Sequence, residues 1–300
     1  MTLRANKHHL VFGSILVLAV SAAGDCVTVR TSDGQGADAY IGNYAPDGNF
    51  GGHPFVMVKN AAQSLYRKGY FRFDLRELEQ KPLSIAAFRP MVSSHIEGAP
   101  VFGPQVFHVW GLRDVAQGVV DDADPAEGGW IEGDGTEGAP AATGIAWATA
   151  PANDQSSGFL LTSDAELLGE FVLLGNSTPG TEVFFASESL DAMLLEDTNG
   201  LITLMVTRVT EDPNQGGFIH TFWADEGSGV DGEPRLVLTV PSSADLNGDL
   251  IVDAADLALL LGSWGACPRD CAADMDQDGA VGGSDLSILL GAWGPPECSL

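Results

Sequence analysis

Short runs of apolar residues alternate with polar clusters through the middle of the 300-residue chain. The runs are rich in Val, Phe, Ile, Tyr and Thr, and Gly, Pro, Asn and Asp separate them, which is typical of strands joined by turns. No long helical period interrupts this pattern. We therefore predict a mainly β domain, a β-sandwich of the jelly-roll kind, with strands over 27–31, 55–59, 69–74, 106–110, 170–174, 182–185, 201–208, 218–223 and 235–240.

The pattern changes after residue 243. The segment 244–265 (ADLNGDLIVDAADLALLLGSWG) aligns without gaps with 273–294 (ADMDQDGAVGGSDLSILLGAWG), and eleven of the twenty-two positions are identical. The second half of each copy has apolar residues at i, i+3, i+4 and i+7, which predicts a short amphipathic helix. These residues are Leu257, Leu260, Leu261 and Trp264 in the first copy and Leu286, Leu289, Leu290 and Trp293 in the second.

Oxygen-bearing side chains precede each helix at the spacing of a calcium-binding loop. Such a loop uses side chains at positions 1, 3, 5 and 12, a backbone carbonyl at position 7 and a water-mediated contact at position 9. We therefore predict two bound Ca²⁺ ions. The candidate ligands are Asp245, Asn247, Asp249, Ile251, Asp253 and Asp256 in the first loop, and Asp274, Asp276, Asp278, Ala280 and Asp285 in the second.

Position 6 of such a loop turns sharply and favours glycine. The second loop has Gly279 at this position, whereas the first has Leu250. A left-handed backbone conformation costs a residue other than glycine about 1 to 2 kcal/mol. We therefore expect the second loop to bind calcium more tightly, and Leu250→Gly to strengthen the first.

Two calcium loops, each followed but not preceded by a helix and each with Asp at position 12, resemble a type I dockerin. The endings GSWGAC and GAWG resemble the Gly-Cys-rich variety. The resemblance implies a small all-α domain over 244–300 that docks to a cohesin-like domain of another protein. In dockerins, recognition depends on loop positions 10 and 11, which are often hydroxyl residues. Here they are Ala254, Ala255, Gly283 and Ser284, so the partner need not be an ordinary type I cohesin. A calcium-stabilised domain without a partner is the alternative.

Six sequence strings stand in order within 27–241: ADAY (37–40), NFGG (49–52), RKGYFRFDL (67–75), WIEG (130–133), GIAWATAP (144–151) and EPRLVLT (233–239). They resemble the DNRLRE domain, a family related to a class of carbohydrate-binding modules with a jelly-roll fold. Some members bind acidic polysaccharides such as alginate. The resemblance implies the fold more firmly than the ligand.

Basic residues concentrate between positions 59 and 89, where seven of them fall. Alternate residues of a strand share a face, which groups Tyr70 with Arg72. We therefore take Tyr70, Arg72, Arg67 and Lys68 as candidates for binding a polysaccharide, in particular an acidic one. In the alternative, Tyr70 is packed in the core and Arg72 pairs with Asp74 or another acid.

The N-terminal residues 1–24 predict a secretory signal, because Arg4 and Lys7 precede an apolar run over 11–20 and small residues over 21–24. The run is too short to span a bilayer. We expect cleavage near Gly24 and a secreted protein, free or associated with the cell surface, with no membrane insertion after cleavage; an uncleaved N-terminal anchor is the alternative. The four cysteines, Cys26, Cys267, Cys271 and Cys298, are compatible with oxidation, and three pairings are open.

Charge and motifs narrow the function classes. The chain has 41 acidic and 14 basic residues, a net charge of −27, which argues against nucleic-acid binding. It contains neither GxSxG nor HExxH. The acidic stretch 121–137 is expected to be a solvated loop, with a further calcium site as the alternative.

We expect a non-catalytic protein that binds calcium and polysaccharide. The alternatives are a dockerin-bearing polysaccharide-degrading enzyme (glycoside hydrolase or lyase) and a structural surface protein without a glycan ligand.

Overall fold

The computed structural model describes residues 26–61, 65–78, 82–93, 103–114, 130–136, 143–174, 178–213, 218–227, 232–249, 251–267, 271–294 and 298. The expected signal peptide, Leu250 and the acidic residues 121–129 lie outside these ranges. The described chain divides into two compact units. The larger unit comprises 26–243 together with 298, and the smaller unit comprises 244–294.

The larger unit is built from antiparallel sheets, which confirms the mainly β class. The elements of this unit are β1 (Cys26–Arg30), β2 (Ala37–Gly42), β3 (Phe55–Ala61), β4 (Leu65–Asp74), β5 (Ser84–Arg89), β6 (Pro104–Leu112), β7 (Ala165–Leu174), α1 (Glu188–Glu196), β8 (Leu201–Arg208), β9 (His220–Trp223) and β10 (Arg235–Thr239). One sheet has the order β1-β10-β5, and the other has the order β7-β6-β8-β4-β3-β9, with β2 also paired to β4.

The main hydrophobic core lies between these two sheets. The smaller sheet contributes Phe88 and Leu236, and the larger sheet contributes Phe71, Phe73 and Phe107. Phe71 and Phe73 are two residues apart on β4 and therefore point to the same side. The two sheets thus pack face to face over a shared apolar layer.

A second core covers the opposite face of the larger sheet. Tyr70 and Met205 of the sheet pack there against Trp130, Trp147 and Leu160 from the connecting segments. Both faces of the sheet are therefore buried around β4 and β8, whereas the edge strand β7 keeps exposed residues. As a result, every residue of β2 and β8 is buried, and apolar–polar alternation is lost in these strands.

Sequence patterning misplaced some elements. The strand expected over 182–185 is present only as single bridges, from Met91 to Glu182 and from Phe88 to Phe185. Strands β2 and β5 and helix α1 were not predicted. Helix α1 is short and buries only two residues, and Ser187 caps it by accepting a hydrogen bond from the N–H of Leu190.

The smaller unit contains α2 (Ala254–Gly262), β11 (Gly265–Ala266), β12 (Ala280–Val281) and α3 (Gly283–Gly291). Each helix follows one predicted loop. The expected all-α domain therefore also contains a short antiparallel strand pair, β11 with β12. Its core is small and is formed by Ala244, Val252, Leu260, Cys267, Ala273, Val281 and Leu289.

Two disulfides select one of the three open pairings. Cys26 of β1 pairs with Cys298, and Cys267 pairs with Cys271. The first bond lies within the larger unit, and the second closes a short loop in the smaller unit.

Candidate functional site

The first loop folds around the side chains predicted to bind calcium. At position 1, Asp245 Oδ1 accepts hydrogen bonds from the N–H groups of Gly248 at 2.8 Å and Asp249 at 3.2 Å. At position 3, Asn247 Oδ1 accepts from the N–H of Asp249 at 2.8 Å. At position 5, Asp249 Oδ1 accepts from the N–H of Ile251 at 3.0 Å. The backbone therefore wraps the polar side chains into one small turn.

The second loop repeats these contacts at the same positions. Asp278 N–H donates to Asp274 Oδ1 at 3.1 Å and to Asp276 Oδ1 at 3.2 Å, and Ala280 N–H donates to Asp278 Oδ1 at 2.9 Å. The carboxylates of Asp274, Asp276 and Asp278 each place an oxygen within 4.8 Å of the other two. Three converging carboxylate oxygens fit a hard divalent cation, with carbonyls and water as further ligands.

The aspartate at position 12 lies in the helix, and its carboxylate binds backbone N–H groups at the start of the loop. Asp256 is fully buried, and its carboxylate accepts from the N–H groups of Leu246, Asn247 and Asp253 at 2.8, 3.1 and 2.8 Å. Asp285 makes the same three contacts in the second loop. A carboxylate has about four acceptor sites, so these contacts leave acceptor capacity for an ion.

Position 9 differs between the loops. Asp253 Oδ1 accepts from the N–H of Ala255 at 2.7 Å and so caps the N-terminus of α2. The second loop has Gly282 at this position, without a side-chain cap. The structure therefore gives the predicted ligand Asp253 a direct role in starting the helix.

Both loops have a left-handed backbone conformation at position 4, which the sequence pattern did not indicate. Position 4 is left-handed in both loops, with φ of 75° at Gly248 and 58° at Gln277. In the second loop Gly279 at position 6 is also left-handed, with φ of 93°. The second loop thus has its glycine at position 6 but carries a strained glutamine at position 4.

Apolar side chains are exposed at equivalent positions of the two repeats. The apolar stripe predicted on each helix is only partly buried: Leu260 and Leu289 are buried, whereas Leu261 and Leu290 are exposed. The run 259–261 spans roughly 200° of a helix, which is more than one packed face covers. We define the apolar face as the residues exposed by 37–52 %: Leu259, Leu261, Trp264, Ile288, Leu290 and Trp293.

The residues predicted to bind a partner begin the two helices. Ala254 and Ala255 are the first residues of α2, and Gly283 and Ser284 are the first residues of α3. All four are exposed. They are therefore accessible on the helices that carry the apolar face.

Two of the predicted polysaccharide-binding residues are fully buried. The Tyr70 hydroxyl donates to the carbonyl of Pro151 at 3.0 Å, and burial raises its pKa. The Lys68 ammonium donates to Asn153 Oδ1 at 2.7 Å and lies 4.6 Å from the centre of the Trp147 ring. Burial lowers the pKa of Lys68 to about 7.

The other two are also engaged in protein contacts. Arg72 is 8 % exposed, and its guanidinium donates to the carbonyls of Gln35 and Trp130 at 2.7 and 2.6 Å. Arg67 lies 4.7 Å from the centre of the Tyr44 ring. The expected surface of Tyr70 beside Arg72 is thus covered by the second core, and Asp74 pairs with Arg76 instead of Arg72.

A pocket of about 280 Å³ lies at one end of the larger sheet. Two of its three acids, Glu166 and Asp114, take part in structural contacts. Glu166 pairs with Arg113 at 3.4 Å, and Asp114 Oδ2 accepts from the N–H and hydroxyl of Thr198 at 2.8 and 2.6 Å. These contacts indicate a structural role for these two acids. The residues that line the pocket are Gly111, Leu112, Arg113, Asp114, Glu166, Leu168, Met193 and Glu196.

Comparison with protein-family models finds no match, and comparison with curated proteins finds none either. The resemblances to dockerins and to the DNRLRE domain therefore depend on the sequence motifs. Among the described residues, no helix combines the length and apolarity needed to cross a membrane.

Proposed function

We propose that this is a secreted, non-catalytic calcium-binding protein whose smaller unit attaches it to a protein partner. The observation that carries the proposal is the repeated loop geometry, in which both loops hold oxygen-bearing side chains at the same positions and Asp274, Asp276 and Asp278 converge within 4.8 Å. Ligands of this kind, all oxygen and mostly carboxylate, suit Ca²⁺.

The apolar face supports attachment to another protein. Large exposed apolar side chains are frequent at interaction sites, and equivalent positions expose them in both repeats. Because each helix starts at the end of a calcium loop, bound calcium would order the helices that present these side chains. On this basis, and by resemblance to dockerins, the partner is a cohesin-like domain that binds only the calcium-loaded form.

Calcium titration of the full chain tests the loops one at a time. Asp249→Ala and Asp278→Ala should each remove one bound ion, because each deletes a position-5 ligand. Asp164→Ala, at an acid in the turn before β7, is the matched control and should leave the number of ions unchanged. Unaltered stoichiometry in both loop variants would overturn calcium binding by the loops.

A binding assay with a panel of purified cohesin domains tests the docking. Wild-type protein should bind a member in calcium and be released by chelator. Leu261→Ser combined with Leu290→Ser should weaken binding at least tenfold. Leu174→Ser is the control, because Leu174 is a comparably exposed leucine in β7 of the larger unit. A partner retained equally well in chelator contradicts calcium-dependent docking.

The proposal extends to a jelly-roll sandwich that binds polysaccharide, on the strength of the DNRLRE-like motifs. Incubating the protein with neutral and acidic polysaccharides separates the three functions considered. Retention without products supports binding. Reducing ends or unsaturated products identify an enzyme. Absence of retention on every polysaccharide favours a structural surface protein.

A further inference from the structure

Four carboxylates from three separate parts of the chain meet in the larger unit. They are Asp38 in β2, Glu132, and Asp225 with Glu226 after β9. One oxygen from each lies within 4.8 Å of the others. We call these four residues the carboxylate cluster.

Asp38 is fully buried, and one of its oxygens lacks a partner. Its Oδ2 atom accepts from the Thr31 hydroxyl at 2.7 Å and from the N–H of Asp225 at 3.1 Å. Its Oδ1 atom has no hydrogen-bond partner among the described residues, and the same is true of Asp225 Oδ1. Buried carboxylate oxygens without partners are strongly unfavourable. Two such oxygens, on residues whose carboxylates meet within 4.8 Å, point to a ligand that binds there.

Among the described residues, Arg72 is near enough to attract Glu132 and lowers the pKa of that carboxyl, but it forms no salt bridge with the cluster. In the ranges that the structure covers, none of its four residues forms a salt bridge with a lysine or arginine. The nearby Arg72 donates to backbone carbonyls instead. Burial, followed by repulsion from Asp225, raises the pKa of Asp38 well above its usual range. The same causes raise the pKa of Glu132 to about 8.

The surrounding residues hold the cluster in place. The N–H of Asp38 donates to Glu132 Oε1 at 2.6 Å. Asn49 is buried, and its side chain donates to the carbonyl of Glu132 and accepts from the N–H of Gly135 at 3.0 Å. Arg72 holds the same segment through the carbonyl of Trp130. The oxygens are therefore fixed before any ion binds, which favours specific binding.

We propose that the carboxylate cluster binds one Ca²⁺ ion, independently of the two loops. The four ligand residues offer only oxygen atoms, which suits a hard cation rather than zinc. Calcium tolerates many carboxylates in irregular geometry, whereas Mg²⁺ uses one or two and keeps its water shell. Glu226 is exposed, so water can complete the coordination from that side.

An ion at this position would join parts of the larger unit that lie far apart in sequence. Asp38 is 94 residues from Glu132 and 187 residues from Asp225. Calcium would bind all three only in the folded chain. The ion would therefore stabilise the sandwich itself.

Counting bound ions in the full chain tests the site. The wild type should bind three calcium ions, two in the loops and one in the cluster. Asp38→Asn should bind two, with a loss of affinity at the third site of more than about 100-fold, since second-shell losses alone cost about 10- to 100-fold. Asp134→Asn is the matched control: Asp134 is an exposed acid in the same segment, outside the cluster. Two ions in the wild type, or three in Asp38→Asn at unchanged affinity, would overturn the proposal.

Thermal unfolding adds a readout that a purely structural role would not produce. In chelator, Asp38→Asn should raise the melting temperature of the larger unit, because it relieves repulsion among the acids. In calcium, the same variant should melt below the wild type.

Glu226→Gln changes an exposed residue and should fold normally, while lowering the affinity for the third calcium ion about tenfold. If the difference between Asp38→Asn and wild type has the same sign in both conditions, the site is not a calcium site. Asp249→Ala and Asp278→Ala should leave this reversal intact, which separates it from the loops.

Discussion

The backbone N–H of Asp225 donates a hydrogen bond to Asp38 Oδ2 at 3.1 Å, although 187 residues separate them. The Thr31 hydroxyl donates to the same oxygen at 2.7 Å. Thr31→Val removes this donor and keeps the shape of the side chain. We expect the free energy of unfolding to fall by about 1 to 3 kcal/mol, the cost of a lost buried hydrogen bond. Urea unfolding measures this change in the free energy of unfolding.

Thr28→Val is the control for this substitution, because Thr28 lies on the same strand region and is exposed. Its effect should stay within about 0.5 kcal/mol. Equal stability of the two variants would show that the Thr31 hydroxyl does not support Asp38.

Arg72 is expected to stabilise the fold rather than bind a ligand. It makes two hydrogen bonds to backbone carbonyls and lies 4.8 Å from the centre of the Trp130 ring. Arg72→Leu should therefore lower the free energy of unfolding by about 3 kcal/mol, since hydrogen bonds to charged groups contribute about 1.5 to 3 kcal/mol each. Arg113→Leu removes an exposed ion pair and should lower it by less than about 1 kcal/mol. Similar small losses in both variants would restore Arg72 as a candidate for ligand binding.

His220 makes the larger unit sensitive to acid. Burial, and then the Arg208 guanidinium at 3.4 Å, lower its pKa from 6.5 to about 3. The unfolded chain takes up this proton near pH 6.5, whereas the folded chain stays neutral until about pH 3. Stability is therefore lost as the pH falls through this range, by about 3 kcal/mol between pH 7 and pH 4.

His220→Gln removes the titrating group and keeps a polar side chain. Chemical unfolding at pH 7 and pH 4 should show that the wild type loses about 3 kcal/mol more than the variant over this interval. Acids elsewhere in the protein contribute equally to both proteins. Parallel losses in the two proteins would contradict a neutral, buried His220.

Substitutions at position 4 should change calcium affinity in opposite directions in the two loops, because Gln277 is strained there and Gly248 is not. Gln277→Gly should strengthen calcium binding by the second loop about fivefold, because the left-handed conformation costs glutamine about 1 to 2 kcal/mol and glycine gives back about 0.5 to 1 through its greater freedom in the unfolded chain. In the reverse change, Gly248→Gln, the added Cβ meets no atom within 4 Å, so the variant should weaken the first loop through backbone strain. Calcium titration measures both. Tighter binding after Gly248→Gln would show that position 4 does not limit affinity.

Sequence reasoning predicted much of the secondary structure where patterns are local. The runs at 55–59, 69–74, 106–110 and 201–208 all lie within strands, because β-branched and aromatic residues between turn formers favour extended chain. The loop-and-helix repeats were predicted for the same reason: ligand spacing and helix period are both set within about twenty residues. The candidate ligands of the loops were therefore accessible from sequence.

The burial of Lys68, Tyr70 and Arg72 could not be predicted in this way. Alternation on β4 correctly grouped Tyr70 with Arg72, on the face opposite to Phe71 and Phe73. It did not indicate that Trp130, Trp147 and Leu160 would cover the second face. Strand β2 was missed for a related reason, since a strand buried on both faces has no polar side to reveal it.

The sequence by itself determined the strand-rich class and the two loops, because both depend on interactions between near neighbours in the chain. Only the tertiary structure decided which cysteines pair, which faces are covered, and that Asp38 lies beside Glu132 and Asp225. The Asp38 contacts and the Cys26–Cys298 disulfide join residues 94 or more positions apart. No local pattern encodes such a contact, since it forms only when the sheets pair and their faces are packed.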